Sequence, residues 1–201
     1  MSIEDKVRWD KQHESTHGSA EASSFLVEIF AAEAWPMPRG RALDIACGKG
    51  RNAIFLAERG FDVVAADISP AALEEGRRRV AGKTLAIRWQ QTDLELIQLS
   101  AGAYDLVVNF NYLQRSLIPQ IKAALRPGGS VIFETYLIDQ PAIGHPKNPA
   151  YLLEHNELLN WFRDFRVLYY REGQFAESGE RAFRAGLFAQ KIAQDSSLEG
   201  L

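Results

Sequence analysis

The stretch Asp44-Ile45-Ala46-Cys47-Gly48-Lys49-Gly50-Arg51-Asn52 joins a short apolar run, Ala42 to Cys47, to a helical one through two glycines. A carboxylate stands near the end of the first run, and Gly48-x-Gly50 opens the second. Glycines at such a junction let the backbone approach a ligand closely, and the start of the following helix points amides at anionic groups. A β-branched side chain at Gly50 is therefore expected to abolish ligand binding more than folding. The plain alternative is a tight strand-to-helix turn that needs positive φ and nothing more. Gly48, Gly50 and Ala53 also satisfy the dinucleotide pattern Gly-x-Gly-x-x-Gly/Ala, so an NAD(P)-dependent oxidoreductase competes.

Strands and helices alternate downstream of this junction. Asn52 to Arg59 is helical with Gly60 as its C-cap, and Phe61 to Ala66 is a second β-rich run. Ser69-Pro70 opens the next helix with an N-cap residue and proline at its first position. Leu85 to Gln91, Tyr104 to Phe110 and Ser130 to Tyr136 read as further strands. A helix over Ser116 to Leu125 ends at Arg126-Pro127-Gly128-Gly129. A Pro/Gly-rich loop leads to a helix near Leu152–Phe162, and Phe165–Arg171 with Ala182–Ile192 read as a terminal antiparallel pair. The alternation predicts an α/β, doubly wound, mostly parallel sheet, whose ligands bind outside the carboxyl ends of the strands.

Upstream, Ala20 to Ala34 carries Phe25, Leu26, Ile29 and Phe30 at helical spacing, and Trp35-Pro36-Met37-Pro38 ends that helix. Residues 1–40 are expected to form an N-terminal helical cap and 41–201 one domain. At 201 residues the chain suits that organisation, and 46% hydrophobic with 24% charged residues excludes disordered and fibrous classes. A net charge of −3 offers no electrostatic case for nucleic acid. Cys47 is the single cysteine, so no internal disulfide forms. Neither a membrane-spanning run nor a signal peptide is read, and a cytoplasmic location is expected. His13, His17, His145 and His155 lack metal-ligand spacing, so no metal site is expected.

Acids at successive strand ends separate the two glycine-loop readings. Asp67 closes Val63-Val64-Ala65-Ala66-Asp67, where a carboxylate can accept both ribose hydroxyls of an adenosine ligand of either kind. Asp93 follows the third strand, although alone it also suits a helix N-cap. With Asp44 they make three acids near one loop. A pyrophosphate would be repelled there, whereas a ligand with a sulfonium and an ammonium would be attracted.

Taken together, Leu43-Asp44-Ile45-Ala46-Cys47-Gly48-Lys49-Gly50, Ala66-Asp67-Ile68-Ser69, Thr92-Asp93-Leu94, Tyr104-Asp105-Leu106-Val107 and Leu125-Arg126-Pro127-Gly128-Gly129 resemble the class I S-adenosylmethionine-dependent methyltransferases. Gly50-Arg51-Asn52-Ala53, Leu56-Ala57 and Gly60-Phe61-Asp62-Val63 are similar to the small-molecule tellurite-resistance and thiopurine methyltransferases. The resemblance implies a Rossmann-like seven-stranded sheet with an antiparallel C-terminal strand. Its cofactor would be S-adenosylmethionine, released as S-adenosylhomocysteine.

Carried over by that resemblance, Asp44 would orient the methionine ammonium, and Ala46, Gly48, Gly50 and Asn52 would form the loop beneath it. Asp67 would bind the ribose diol and Ile68 would pack on adenine. Asp93 with Leu94 would meet the adenine amino group and ring, and Asn109 would face the methionine moiety. Asn109-Phe110-Asn111-Tyr112 keeps the ends of an amino-methyltransferase signature but lacks its two prolines, which leaves N-methylation unassigned. The acceptor side is expected to draw on Trp9, Arg51, Tyr112, Arg115, Glu134 and Tyr136, with Arg115 a cation able to orient an anionic acceptor. Each of these has an ordinary structural alternative as a packing residue or salt bridge. The acceptor is expected to be a small molecule (a thiol, amine or oxyanion), with RNA or protein as alternatives. No side chain is singled out as a general base. A monomer or homodimer without nucleic-acid or membrane partners is expected.

Overall fold

The apolar run after Gly40 becomes β1 (Arg41–Ile45), and the helical run after Gly50 becomes α2 (Arg51–Glu58). The computed structural model describes residues 21–32, 35, 39–177 and 180–193. Ahead of β1 lies α1 (Ser24–Ala31). After α2 come β2 (Asp62–Asp67), α3 (Pro70–Arg79), β3 (Ile87–Gln91) and β4 (Tyr104–Phe110). A 3-10 turn, Arg115–Leu117, leads into α4 (Ile118–Ala124) and β5 (Leu125–Tyr136). Then follow α5 (Glu157–Trp161), β6 (Arg166–Glu177) and β7 (Glu180–Gln190).

The strands form one seven-stranded sheet in the order β3-β2-β1-β4-β5-β7-β6. The first five run parallel, and β7 runs antiparallel to both β5 and β6. The expected architecture is the one found. Strand order reverses between β1 and β4, which places the crevice for a ligand at the carboxyl ends of those two strands.

Alternation along the central strands divides two cores. Leu43 and Ile45 pack with Val107, Val131 and Phe133 toward α4 and α5. Ala42, Val63, Ala65, Leu106 and Val108 pack toward α1 and α2. Both faces are covered, so these strands are apolar nearly throughout, as parallel strands are. On α1, Phe25, Leu26 and Ile29 are fully buried, each stabilising the fold by roughly 1.5–3 kcal/mol relative to exposure.

Three local differences from the sequence reading have physical causes. Helix α5 is shorter than Leu152–Phe162 because Leu153 is extended, its N–H bonded to the Tyr136 carbonyl at 2.8 Å. Beyond it, Asn156 sits at φ 61°, outside any helix. Strand β6 outruns its expected end at Arg171 and reaches Glu177, because it continues to pair with β7 beyond the last β5 pairing at Arg184, while β7 lies two residues earlier than Ala182–Ile192.

The third difference is a correction about Gly50. In a left-handed conformation with φ of 76°, a Cβ there would lie 2.2 Å from the Trp89 ring. Gly76 faces the same ring, where a Cβ would be 2.4 Å away. The two glycines form a slot for the indole, so Gly50 is a requirement of the fold before any ligand binds. Gly50→Val is expected to lower stability by about 3 kcal/mol, combining overpacking with left-handed strain. A thermal melt at the wild-type temperature would contradict this.

Candidate functional site

The turn after β1 is held in an unusual backbone conformation. Ala46, Gly48 and Gly50 have φ of 52°, 54° and 76°, so every second residue is left-handed. Ala46 is the costly one, since a Cβ disfavours this region, and such strain is concentrated at ligand sites. Hydrogen bonds lock the turn to β2. Cys47 N–H donates to the Ala66 carbonyl at 3.0 Å, and Gly48 N–H donates to Asp67 Oδ2 at 2.7 Å.

Asp44 is the least compensated group of the site. It is 1% exposed, and its Oδ2 has no hydrogen-bond partner among the described residues. Burial pushes its carboxyl pKa up to about 8, with Asp67 adding to the rise while the Ala53 amide and Arg51 oppose it. A buried carboxyl in that state needs either a proton or a cation. The arrangement fits the cofactor implied above, since its ammonium would supply the missing partner and neutralise the acids. The Cys47 thiol is likewise pushed up by burial and by Asp44 and Asp67, which keeps it a packed thiol rather than a nucleophile.

Asp67 ends β2 with each oxygen accepting one backbone N–H, Oδ2 from Gly48 and Oδ1 from Ser69 at 2.9 Å. An ionised carboxylate accepts about four hydrogen bonds, so capacity for a diol remains. Thr92 N–H donates to the Asp67 carbonyl at 2.9 Å, which brings the β3 end and Asp93 beside it. Asp93 Oδ1 accepts the Glu95 N–H at 2.9 Å, Leu94 is buried, and Ile68 is half-buried.

At the end of β4, Asn109 is buried and its Nδ2 donates to the Tyr112 carbonyl at 2.7 Å. Between them Asn111 is left-handed, with φ of 59°. Tyr112 donates its hydroxyl to Gln114 Oε1 at 2.6 Å, and burial with the charges of Asp93 and Asp67 raises its pKa. The strand-four turn therefore stands close to the acids of strands two and three.

Other expected residues take structural partners. Asn52 Oδ1 accepts the Ser23 N–H at 2.9 Å, joining the start of α1 to the glycine turn. Arg51 Nη1 reaches the Glu21 carbonyl at 3.5 Å. Glu134 is fully buried and accepts from Arg171 Nη2 at 2.7 Å, while Arg171 Nη1 donates to Glu28 of α1 at 2.7 Å. Tyr136 meets Arg184 Nη2 through its hydroxyl at 3.0 Å. Arg115 is bound to Glu157, with Nε to Oε1 at 2.8 Å, so its guanidinium does not stand open to an anionic acceptor. Trp9 lies outside the described residues.

Arg184 and Asn111 escaped the sequence reading. Arg184 Nη1 donates to Asn111 Oδ1 at 2.6 Å, tying β7 to the strand-four turn across a separation of 73 residues. Asparagine's tolerance of left-handed backbone offered a faint signal for Asn111. Nothing local marks Arg184. No group of His, Cys, Asp and Glu suited to a metal occurs among the described residues, and no helix among them is long and apolar enough to cross a membrane.

Comparison with known proteins bears on the same segment. Residues 42–129 match a family model described as a methyltransferase domain. The chain is 31% identical over 144 residues to Hemagglutinin 1 of Eikenella corrodens, covering 66% of this chain and 46% of that protein. It is 28% identical over 136 residues to the ubiquinone biosynthesis O-methyltransferase of Acinetobacter baylyi, covering 64% and 57% respectively. The chain thus spans about half the length of the curated relatives it matches. The crystal structure of TehB from Haemophilus influenzae superposes with a TM-score of 0.70 at 22% identity, over 92% of this chain and 66% of that one. That likeness shows the fold.

Proposed function

We propose that this chain, whose residues 42–129 match a methyltransferase-domain family model, transfers a methyl group from S-adenosylmethionine to a small acceptor, a thiol, amine or oxyanion. The observation that carries the reading is the buried, unpartnered carboxyl oxygen of Asp44 beside Asp67 at the glycine turn. A dinucleotide would set its pyrophosphate against these acids, whereas an ammonium and a sulfonium are drawn to them. The cofactor, when bound, supplies a methyl already activated for displacement. What the protein adds is placement: the left-handed turn at Ala46 to Gly50 and the Asn109–Tyr112 turn set the geometry of approach with water excluded. Asp67 would hold the ribose, Asp93, Leu94 and Ile68 the adenine, and Asn109 the methionine end. We assign residues 41–201 to the transferase domain and 1–40 to a cap, since α1 begins against Asn52 in the first turn of α2.

The test is a methyl-transfer screen over small thiols, amines and chalcogen oxyanions that reads S-adenosylhomocysteine release, paired with calorimetry. Micromolar affinity for S-adenosylhomocysteine without affinity for NAD supports the reading. Binding of NAD alone would return the oxidoreductase. Salt-sensitive retention on RNA would redirect the search to a macromolecular acceptor.

Affinity is expected to depend on pH with a defined sign. The free protein holds the Asp44 proton up to about pH 8, and an ammonium beside it favours the ionised form. Binding therefore releases a proton, and S-adenosylhomocysteine affinity falls below pH 8 by up to about tenfold per unit. Affinity flat between pH 6 and 8, as ~6 and ~8 bracket this window, would remove Asp44 from the ammonium site.

A further inference from the structure

The chain leaves the carboxyl end of β5 and returns to it. Leu137 bridges Leu153, Ile138 N–H donates to the Leu153 carbonyl at 2.9 Å, and Leu153 N–H donates to the Tyr136 carbonyl at 2.8 Å. The segment between, 138–152, is an Ω-shaped loop whose neck sits on the ligand end of the sheet. It is packed by its own groups. The buried Gln140 donates to the His145 carbonyl at 2.9 Å and accepts the Phe183 N–H at 2.7 Å, and Asn148 Oδ1 accepts the Ala150 N–H at 3.0 Å.

Arg115, from the turn after β4, grips this loop near its return to β5. Its Nη1 donates to the Ala150 carbonyl at 3.3 Å and its Nη2 to the Leu152 carbonyl at 2.9 Å. Nε and Nη2 meet the two Glu157 oxygens at 2.8 and 2.9 Å, and Glu157 Oε2 also accepts the Glu154 N–H at 2.8 Å. A bidentate ion pair with two carbonyls on one planar guanidinium is a geometry lysine cannot reproduce. Tyr151 lies between the two gripped carbonyls. Tyr112, three residues before Arg115, is held by Asn109 and Gln114, which fixes the turn that carries Arg115 to the carboxyl end of β4.

We infer that Arg115 and Glu157 are positioning residues that hold loop 138–152, and Tyr151 with it, as the acceptor-side wall of the cofactor crevice, so that cofactor release requires this pair to open. The inference rests on the S-adenosylmethionine reading above. Arg115 does not touch the cofactor; it acts through the loop that carries Tyr151. A guanidinium that merely tied two surface segments together would leave release unchanged.

The experiment follows displacement of labelled S-adenosylhomocysteine from wild type, Arg115→Ala, Arg115→Lys, Glu157→Gln, Tyr151→Ala and the Arg115→Ala/Tyr151→Ala double variant, with a thermal melt of each. Arg115→Ala and Arg115→Lys are each expected to speed release about tenfold, the loss of roughly one charged hydrogen bond. Tyr151→Ala should do the same, and the double variant should release no faster than Tyr151→Ala alone, because the wall through which Arg115 acts is already gone. Release at the wild-type rate in folded Arg115→Lys and Glu157→Gln, or effects that multiply in the double variant, would overturn the inference. Absence of any S-adenosylhomocysteine binding by wild type would instead bring down the cofactor reading beneath it. The melts keep the two failures apart from misfolding.

Discussion

Asp44→Asn is expected to weaken S-adenosylhomocysteine binding by at least about a hundredfold while raising the melting temperature of the ligand-free protein at pH 8. Both effects come from one buried oxygen. A charge-assisted hydrogen bond to a desolvated carboxylate contributes roughly 1.5–3 kcal/mol, and its loss leaves the ammonium facing a neutral amide. The opposite effect on stability follows from the raised carboxyl pKa. In the unfolded chain that group titrates near 4, and in the folded protein near 8. A group with its folded pKa raised contributes most stability at low pH and loses it as pH climbs toward the folded value. The wild type should therefore lose stability across that window by up to about 1.4 kcal/mol per unit, and the asparagine variant should not. Parallel pH–stability curves for the two proteins would refute the assignment, as would unchanged calorimetric affinity.

Asp67→Ala carries the second large effect. The side chain fixes the Gly48 and Ser69 amides at 2.7 and 2.9 Å, besides the ribose contact proposed for it. Removing it leaves two donors unsatisfied at the turn and the start of α3, each costing about 1–3 kcal/mol. S-adenosylhomocysteine affinity is expected to fall at least about tenfold and the melting temperature to drop markedly. Asp67→Asn separates the two roles, because its carbonyl oxygen can still accept one amide while the diol loses its charged partner. Calorimetry showing wild-type affinity in folded Asp67→Asn would leave Asp67 as a turn residue only.

Much of this was legible locally. The glycines, the three strand-end acids and the end of α4 ahead of Pro127 each follow from short-range rules: positive φ, hydrogen-bonding capacity and the inability of proline to continue a helix. Gly129 shows such a rule meeting its tertiary reason, since a Cβ there would lie 2.9 Å from the Arg126 carbonyl and 3.1 Å from that of Tyr104. Gly50 shows the limit. Its glycine was visible, but the cause, the Trp89 ring packed against it, lies 39 positions away in the chain.

The sequence alone determined the order of strands and helices, the mostly parallel sheet and the acids clustered at its carboxyl ends. These depend on periodicity and on residues within a few positions of one another. Only the tertiary structure decided what the long cations do. Arg115 spends its donors on Glu157, Ala150 and Leu152, Arg171 bridges Glu28 and Glu134, and Arg184 reaches Asn111. A flexible side chain with five donors finds its partners only when distant strands and loops have been brought together, and nothing in the neighbouring sequence records which ones those are.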